Sequence, residues 1–237
     1  MNKAQIKGNG DAVADVVVVG TGVVGALIAD QLAGAGHAVL MLDAGPRIQR
    51  AQAVENWRNM PFANRAGSDY QGLYPQSPMA PAPLYWPPNN YVGLNGPDGK
   101  GFQQGYLKVV GGTTWHWAAS SWRHLPVDFK MQSTYGVGRD WPFAYEEIEP
   151  YYCRAEEEMG VAGPNDPAQQ SPRERSKPYP MDMVPWGYAD TRVAEIVNPH
   201  GYQSVPIPQG RSTRPWRGRP TCCGNNNCQP ICPLGAM

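Results

Sequence analysis

A glycine-rich turn enclosed by two apolar segments constrains the fold of this chain more than any other feature of its sequence. Residues 14–20 contain four consecutive valines and predict a buried strand, residues 23–35 predict a helix, and residues 38–42 predict a second apolar strand. A strand, a helix and a strand in such close succession are typical of the βαβ crossover of a parallel sheet. The sequence therefore predicts an α/β fold.

The glycines of this turn have the spacing G-x-G-x-x-G, at Gly20, Gly22 and Gly25. Gly20 permits the tight turn, Gly22 lets the backbone approach a pyrophosphate at the helix N-terminus, and Gly25 lets the helix pack closely on the sheet. Asp43, at the end of the second strand, is placed to accept hydrogen bonds from a ribose hydroxyl. These residues predict a dinucleotide site, and a glycine-rich turn of some other α/β protein is the alternative.

A second loop, residues 111–117 with the sequence GGTTWHW, combines two adjacent glycines, two hydroxyls and a histidine between two indoles. Paired glycines indicate close approach of the backbone to a bulky ligand. The predicted cofactor-binding residues beyond the first fingerprint are Gly45, Gly111, Gly112, Thr113, Thr114, His116 and Trp117.

The rest of the chain shows few regular elements. Residues 46–108 show no long periodic pattern, and their prolines alternate with Trp and Tyr, which predicts a long irregular insertion that covers the core. A helix is predicted over residues 150–159, with Pro150 at its first position and the three glutamates 156–158 on a solvated face. Residues 164–180 predict a surface loop, and Cys153 is predicted to be a small buried hydrophobe.

Charge and hydropathy exclude several classes of protein. Twenty basic and twenty acidic residues cancel, so net charge indicates neither nucleic acid nor a membrane surface as a partner. No run approaches the roughly 18 apolar residues of a membrane span, and no signal peptide is recognisable.

We expect one domain in four segments. They are the βαβ unit (1–45), covering loops with the second glycine loop (46–125), a helix-and-loop insertion (126–210) and a cysteine loop (211–237).

Four of the five cysteines lie within residues 222–232. The spacing Cys222-x5-Cys228-x3-Cys232 lets three thiolates converge, whereas Cys223 is expected to diverge from its neighbour and to be spare. Pro233 follows the last cysteine, as it does in bacterial ferredoxins. Three thiolates suit a [3Fe–4S] cluster better than a four-ligand site. A zinc knuckle, which normally has paired C-x₂₋₄-C units, and disulfides in an exported protein are the alternatives.

Together these motifs resemble the glucose–methanol–choline (GMC) oxidoreductases. The resemblance rests on the fingerprint that ends in DAGP (43–46), followed by Gly111, Gly112 and His116. Four further segments are similar to the large FAD subunits of membrane-bound bacterial dehydrogenases for fructose, sorbitol, glucose, gluconate or 2-ketogluconate. They are residues 55–61 (ENWRNMP), 110–123, 133–140 and 219–237.

The resemblance implies a Rossmann-like FAD-binding βαβ core within an incomplete GMC fold. It also implies FAD, either bonded covalently to His116 or stacked beside it, and a [3Fe–4S] cluster on Cys222, Cys228 and Cys232. A histidine that only hydrogen-bonds within its loop is the alternative for His116. The implied partners are a multihaem cytochrome c subunit and a small subunit with a twin-arginine signal, which would place the complex on the periplasmic face of the bacterial inner membrane.

The acid–base residues of the family are not recognisable in this sequence. In the family they are a histidine paired with asparagine or histidine near the carboxyl end of a considerably longer chain. The other histidines, His37, His124 and His200, match no such motif. We therefore expect an N-terminal portion of the enzyme, inactive and marginally stable alone, with no catalytic residue of its own. An O₂-using flavin oxidase and a non-catalytic electron-transfer module are the alternative functions.

Overall fold

The computed structural model describes residues 4–6, 12–59, 109–169, 173–224, 228 and 232–237. The chain divides into two compact units. The first unit contains Met1–Trp117 and Asn226–Pro233, and the second contains Ala118–Asn225 and Leu234–Met237.

The first unit is built on the predicted βαβ crossover. Its elements are β1 (Gln5–Ile6), β2 (Ala12–Val13), β3 (Val16–Val19), α1 (Val23–Gly34), β4 (Val39–Leu42), α2 (Arg50–Asn59) and a 3₁₀-helix (Gly112–His116). Strands β1 and β2 pair antiparallel, whereas β3 and β4 pair in parallel with Val16 opposite Val39 and Val19 opposite Leu42. The predicted strand, helix and parallel strand are thus confirmed, and the architecture is compatible with an α/β fold. The predicted burial of the first strand is wrong for the described structure, since none of the four residues of β3 is buried.

Helix α1 packs closely on β3 because Gly25 has no side chain. A Cβ at Gly25 would lie far inside contact distance of the Gly20 carbonyl oxygen and 3.4 Å from a methyl group of Val18. The side chains of Val17 and Val19 lie on the other face of β3 and are 53% and 83% exposed. Within the described residues, β3 and β4 form a two-stranded sheet with an open apolar face.

Helix α2 corrects a prediction, since we expected no regular element between residues 46 and 108. The helix is polar overall, so its periodicity is weak, but Ala53 and Val54 are buried against Ile48 and Trp115. Tertiary contact with a tryptophan distant in sequence therefore defines its buried face. The rest of the predicted insertion, residues 60–108, lies outside the described residues.

The second unit is mainly helical in its described part. Its elements are a 3₁₀-helix (Pro126–Lys130), α3 (Met131–Tyr135), α4 (Tyr145–Met159), β5 (Ala162–Gly163), a 3₁₀-helix (Pro167–Gln169), β6 (Met181–Asp182), α5 (Tyr188–Val197) and a 3₁₀-helix (Asn198–His200). Strands β5 and β6 pair in parallel. No helix in the described part of the chain combines the length and hydropathy that crossing a bilayer requires.

Helix α4 begins five residues earlier than predicted, so Pro150 is an interior residue and not the first helical position. The backbone N–H of Ala144 donates to Oε1 of Glu147 at 2.9 Å, and this contact caps the true N-terminus. Gly160 ends the helix as predicted, in the left-handed region with φ of 62°.

Two further predictions for this unit are wrong in part. Glu156 is only 4% exposed, because two arginines bind its carboxylate, although Glu157 and Glu158 are exposed as predicted. Residues 164–180 are not wholly a surface loop, since Pro164 and Tyr179 are buried. A Cβ at Gly163 would lie 2.5 Å from the Tyr179 ring, so this ring packs directly on β5.

Candidate functional site

The first glycine loop leaves open space at the start of α1. Gly20 has φ of 93°, in the left-handed region that favours glycine. Gly22 is the N-cap of α1 and supplies no side-chain cap, and a Cβ at Gly22 would meet nothing within 4 Å. Uncapped amides at a helix N-terminus favour an anionic group. The loop therefore leaves open space beside Gly22 at the N-terminus of α1.

Thr21 connects the three sequence motifs of the first unit. Its backbone N–H donates to Oδ2 of Asp43 at 3.0 Å, and its hydroxyl donates to the same oxygen. The hydroxyl oxygen in turn accepts a hydrogen bond of 2.9 Å from the backbone N–H of Gly111. Gly45 donates to the other oxygen of Asp43 at 2.8 Å. The two glycine loops and the acidic residue predicted from sequence therefore meet at one hydroxyl.

Asp43 is held as a carboxylate by these contacts. Desolvation acts against its charged form, but hydrogen bonds from Thr21 and Gly45 outweigh it and lower the pKa of Asp43 below its ordinary value. An exposed carboxylate fixed at the end of β4 is an acceptor suited to a ribose hydroxyl.

The second glycine loop is positioned by Trp115, which sequence reasoning did not include in the site. Its indole Nε1 donates to the carbonyl of Val110 at 2.8 Å, and its ring packs against buried Val109 and against the buried face of α2. A Cβ at Gly111 would lie only 3.0 Å from this Nε1. Gly111 and Gly112 have φ of 93° and 55°, in the left-handed region that favours glycine.

The remaining predicted residues of this loop have different environments. Thr113 and Trp117 are half-buried, whereas Thr114 is exposed and its hydroxyl donates to the carbonyl of Gly111. His116 ends the 3₁₀-helix Gly112–His116, and its side chain lies outside the described part of the structure.

The predicted cysteine ligands are divided between the two units. Cys228 and Cys232 belong to the first unit and are 8% and 7% exposed, and the guanidinium of Arg50 donates to the carbonyl of Cys232. Cys222 belongs to the second unit and is half-buried, whereas Cys223 is exposed. All five cysteines are among the described residues, and none forms a disulfide. The described residues include no group of three or more His, Cys, Asp or Glu that could hold a metal ion.

The two ends of the cysteine segment that lie in the second unit meet at Ser212. The backbone N–H of Ser212 donates to the carbonyl of Ala236 at 2.8 Å, and its own carbonyl accepts 2.8 Å from the backbone N–H of Cys222. Ser212 is fully buried. The sequence gives no local signal for this arrangement, since it depends on residues 10 and 24 positions away.

The second unit also contains a buried ionic network centred on Arg123. Its guanidinium donates to Glu149 at 2.9 Å and to Glu156 at 2.8 Å. Arg175 forms a second pair with Glu156, at 2.7 Å. Cys153 is buried as predicted, yet its thiol is not in an apolar environment, since Sγ accepts 3.2 Å from Arg123 and donates 3.0 Å to Glu149.

The network shifts the pKa values of Arg123 and Glu149. Desolvation alone would lower the pKa of the Arg123 guanidinium. The hydrogen bonds to Glu156, Tyr145 and Glu149 outweigh it and raise this pKa above its ordinary value. Desolvation likewise opposes ionisation of Glu149, but hydrogen bonds from Cys153, Ser176 and Arg123 lower its pKa to about 2. Because its charged groups bind one another, we regard the network as a structural feature of the second unit.

In the first unit, the glycine turn of a parallel βαβ crossover meets an acidic residue and a second glycine loop. Sequence comparison agrees with the resemblance to bacterial sugar dehydrogenase large subunits that the motifs indicated. The chain is 56% identical, over 94% of its length, to the fructose dehydrogenase large subunit of Gluconobacter japonicus.

More distant relatives are other oxidoreductases. The chain is 27% identical over 94% of its length to the 2-methyl-1,2-propanediol dehydrogenase of Mycolicibacterium austroafricanum. It is 26% identical over 97% of its length to the 6'''-hydroxyparomomycin C oxidase of Streptomyces lividus. No protein-family profile matches the chain. The chain spans 41% of the length of the first relative and 38% of each of the other two.

Proposed function

We propose that this chain is the flavin-binding part of a dehydrogenase that oxidises an alcohol group of a sugar, polyol or sugar acid. The observation that carries the proposal is the Thr21 hydroxyl, which connects Asp43 and Gly111 and so brings both predicted cofactor loops together. The relative with 56% identity is named for fructose, so a hexose or hexitol is the substrate class that we favour.

FAD is the cofactor that we assign to the first unit. The amides beside Gly20 and Gly22 would bind the pyrophosphate, and the anionic carboxylate of Asp43 would accept a hydrogen bond from a ribose hydroxyl. The backbone of Gly111 and Gly112 would allow close approach of the ligand. When bound, FAD supplies a hydride acceptor for the carbinol carbon of the substrate.

We also propose that the flavin contacts Thr113, Thr114, His116 and Trp117, and that His116 forms a covalent bond with it. Acid denaturation of the holoprotein tests the bond. Retention of the yellow chromophore on the polypeptide supports covalent attachment, and release of free FAD rejects it. His116→Ala should release the chromophore, while His124→Ala is a matched control, because His124 is an exposed histidine of the other unit.

The cysteine segment is proposed to hold a [3Fe–4S] cluster on Cys222, Cys228 and Cys232. The burial of Cys228 and Cys232 supports a ligand role, and the exposure of Cys223 supports its exclusion from the ligand set. When bound, such a cluster supplies a one-electron relay. The proposed acceptor is a multihaem cytochrome c subunit, and the proposed site of action is the periplasmic face, reached with a small subunit that bears a twin-arginine signal.

Flavin and iron analysis of the purified protein tests this function. FAD together with iron and sulfide is the expected result, and Cys228→Ser should lose iron whereas Cys223→Ser should retain it. FAD without iron would favour an oxidase, the activity named for the Streptomyces lividus relative. Iron without FAD would favour a non-catalytic electron-transfer module, and a protein with neither chromophore would contradict the proposal.

A further inference from the structure

An arginine-rich loop of the second unit carries more positive charge than the described structure neutralises. Residues 211–219 have the sequence RSTRPWRGR, with four arginines among nine residues. In the part of the chain that the structure describes, one of these guanidiniums forms an ion pair, the exposed contact of Arg217 with Glu158. The other three donate to main-chain carbonyls, as Arg214 does to the carbonyl of Pro180 at 3.0 Å. The loop is therefore a local cationic surface on a chain whose net charge is zero.

The loop includes a two-residue turn that packs against the end of α4. Trp216 and Arg219 exchange two backbone hydrogen bonds, of 3.1 and 2.8 Å, across this turn. The guanidinium of Arg219 also donates to the carbonyl of Met159 in the last turn of α4. A Cβ at Gly160 would lie 2.5 Å from both the Arg219 guanidinium and the Trp216 ring. Close packing on α4 therefore fixes the turn in place.

Arg217 has a backbone conformation that disfavours arginine. Arg217 and Gly218 are the central residues of the turn and have φ of 43° and 82°. Positive φ at both central positions defines a type I′ turn, in which asparagine followed by glycine is favoured. The left-handed conformation is costly for a long side chain such as that of arginine. The backbone of the turn therefore gives no reason for an arginine at this position, whereas a function of its guanidinium does.

Trp216 brings two guanidiniums to one aromatic ring. Cζ of Arg214 lies 5.0 Å from the centre of the Trp216 ring, and Cζ of Arg217 lies 6.0 Å from it. Desolvation and the positive charge of Arg217 lower the pKa of Arg219 below its ordinary value, so like charges are crowded here. Guanidiniums bind carboxylates in a planar, bidentate geometry. This surface therefore complements a partner that is rich in carboxylates.

We propose that Arg214, Trp216 and Arg217 form a docking surface for a carboxylate-rich segment of a partner protein. Glu158 pairs with Arg217 until a carboxylate of the partner displaces it. Arginine and tryptophan are enriched at the energetic centres of protein interfaces. An anionic lipid surface is the less favoured occupant, because the net charge of the chain is zero and the arginines lie on a packed turn. The proposal uses residues of the second unit alone and requires neither flavin nor metal.

Binding of a short fluorescein-labelled peptide of alternating glutamate and serine tests this surface, with the glutamine–serine peptide as the neutral probe. The purified protein should bind the glutamate peptide, more weakly as the salt concentration rises, and should not bind the neutral one. Arg214→Gln combined with Arg217→Asn should weaken binding about 5- to 10-fold. Because asparagine suits the turn, thermal stability should not fall. Arg139→Gln combined with Arg154→Gln is the matched control, since both are exposed arginines of the same unit, and should bind like the wild type.

A second pair of variants tests the role of Glu158. Glu158→Gln frees Arg217 from its ion pair and should tighten binding of the glutamate peptide about 2- to 5-fold. Glu157→Gln makes the same change of charge at an exposed neighbour. Its carboxylate forms no ion pair in the described structure, so the effect of this control should be smaller.

Three results would overturn the proposal. The first is an unchanged affinity for the glutamate peptide in the double arginine variant, or equal effects of the two glutamine variants. The second is a wild-type protein that binds phosphatidylglycerol vesicles through these arginines but does not bind the peptide, which would assign the surface to a membrane. The third is salt-sensitive dimerisation that the double arginine variant abolishes, which would identify a second copy of the chain as the occupant.

Discussion

The two units of this molecule differ in which side chains they bury, polar or apolar. In the first unit, the strand β3 leaves Val17 and Val19 more than half exposed, while hydrogen bonds at exposed or half-buried Thr21 and Asp43 organise the loops. In the second unit, Arg123 is 2% exposed and binds two carboxylates in the interior. Backbone geometry at glycines thus shapes one unit, and a buried ionic network stabilises the other.

This difference has consequences for mutation. A site made of glycine backbone tolerates changes where space is open and fails where a Cβ meets a carbonyl group. A buried ionic network fails when any one charge is removed, because its partner is left uncompensated.

The largest expected effect is that of Arg123→Met in the second unit. Loss of the guanidinium leaves the buried Glu149 and Glu156 with Arg175 as the remaining cation of the network. This loss should lower the free energy of unfolding by about 3–5 kcal/mol. Hydrogen exchange should show the loss in the second unit and little change in α1. Arg154→Met is the control and should cost little, because Arg154 is an exposed arginine of α4, the helix that carries Glu149 and Glu156. Equal stabilities of the two variants would contradict the proposed importance of the network.

Acid should weaken the second unit through Glu149. Its pKa is lowered from an ordinary 4.5 to about 2 in the folded protein, so the unfolded chain binds the proton more readily. The stabilisation is therefore complete above pH 4.5 and is lost as the pH falls toward about 2.

Glu149→Gln isolates this contribution from those of other carboxylates. The variant should lose about 1.5–3 kcal/mol near neutral pH, as expected for hydrogen bonds to a charged group. Its free energy of unfolding should then fall less steeply than that of the wild type below pH 4.5. Urea unfolding across this range measures both slopes, and parallel slopes would show that Glu149 is not the responsible group.

The features predicted correctly from sequence are those that short-range rules determine. Four consecutive valines, a glycine triplet and a second apolar run specify β3, α1 and β4 without help from distant residues. Gly160 ends α4 as predicted because a left-handed C-terminal residue favours glycine.

The features that escaped prediction depend on partners far away in the chain. Glu156 belongs to a run of three glutamates that predicts a solvated face. Its burial requires Arg123, 33 residues earlier in the chain. Thr21 occupies a variable position of the glycine fingerprint, and its role depends on Asp43 and on Gly111, which is 90 residues away. Helix α2 likewise required Trp115 to define its buried face.

A pair of glycine variants tests the first unit directly. Gly25→Ala places a methyl group against the Gly20 carbonyl, so overpacking should cost about 1–3 kcal/mol and should abolish flavin binding with it. Gly22→Ala places the methyl group in open space, so stability should be unchanged while FAD affinity falls. Thermal unfolding and flavin titration of both variants separate the two effects. Equal destabilisation by both would show that Gly22 has a packing role.

The smallest expected effect concerns Thr21, where only one hydroxyl is changed. Thr21→Val keeps the shape of the side chain but removes the donor to Asp43 and the acceptor for Gly111. This change should weaken the contact between the two glycine loops by about 0.5–1.5 kcal/mol. If the two glycine loops are then held less firmly for the proposed cofactor, the dissociation constant for FAD should rise about 2- to 10-fold. Thr21→Ser retains the hydroxyl and should bind FAD nearly as tightly as the wild type. Because the valine variant leaves β3 and α1 intact, weaker binding with unchanged unfolding of the βαβ unit would identify the hydroxyl as the connection between the two loops. Identical FAD affinity of the valine and serine variants would instead show that the hydroxyl of Thr21 does not position the loops.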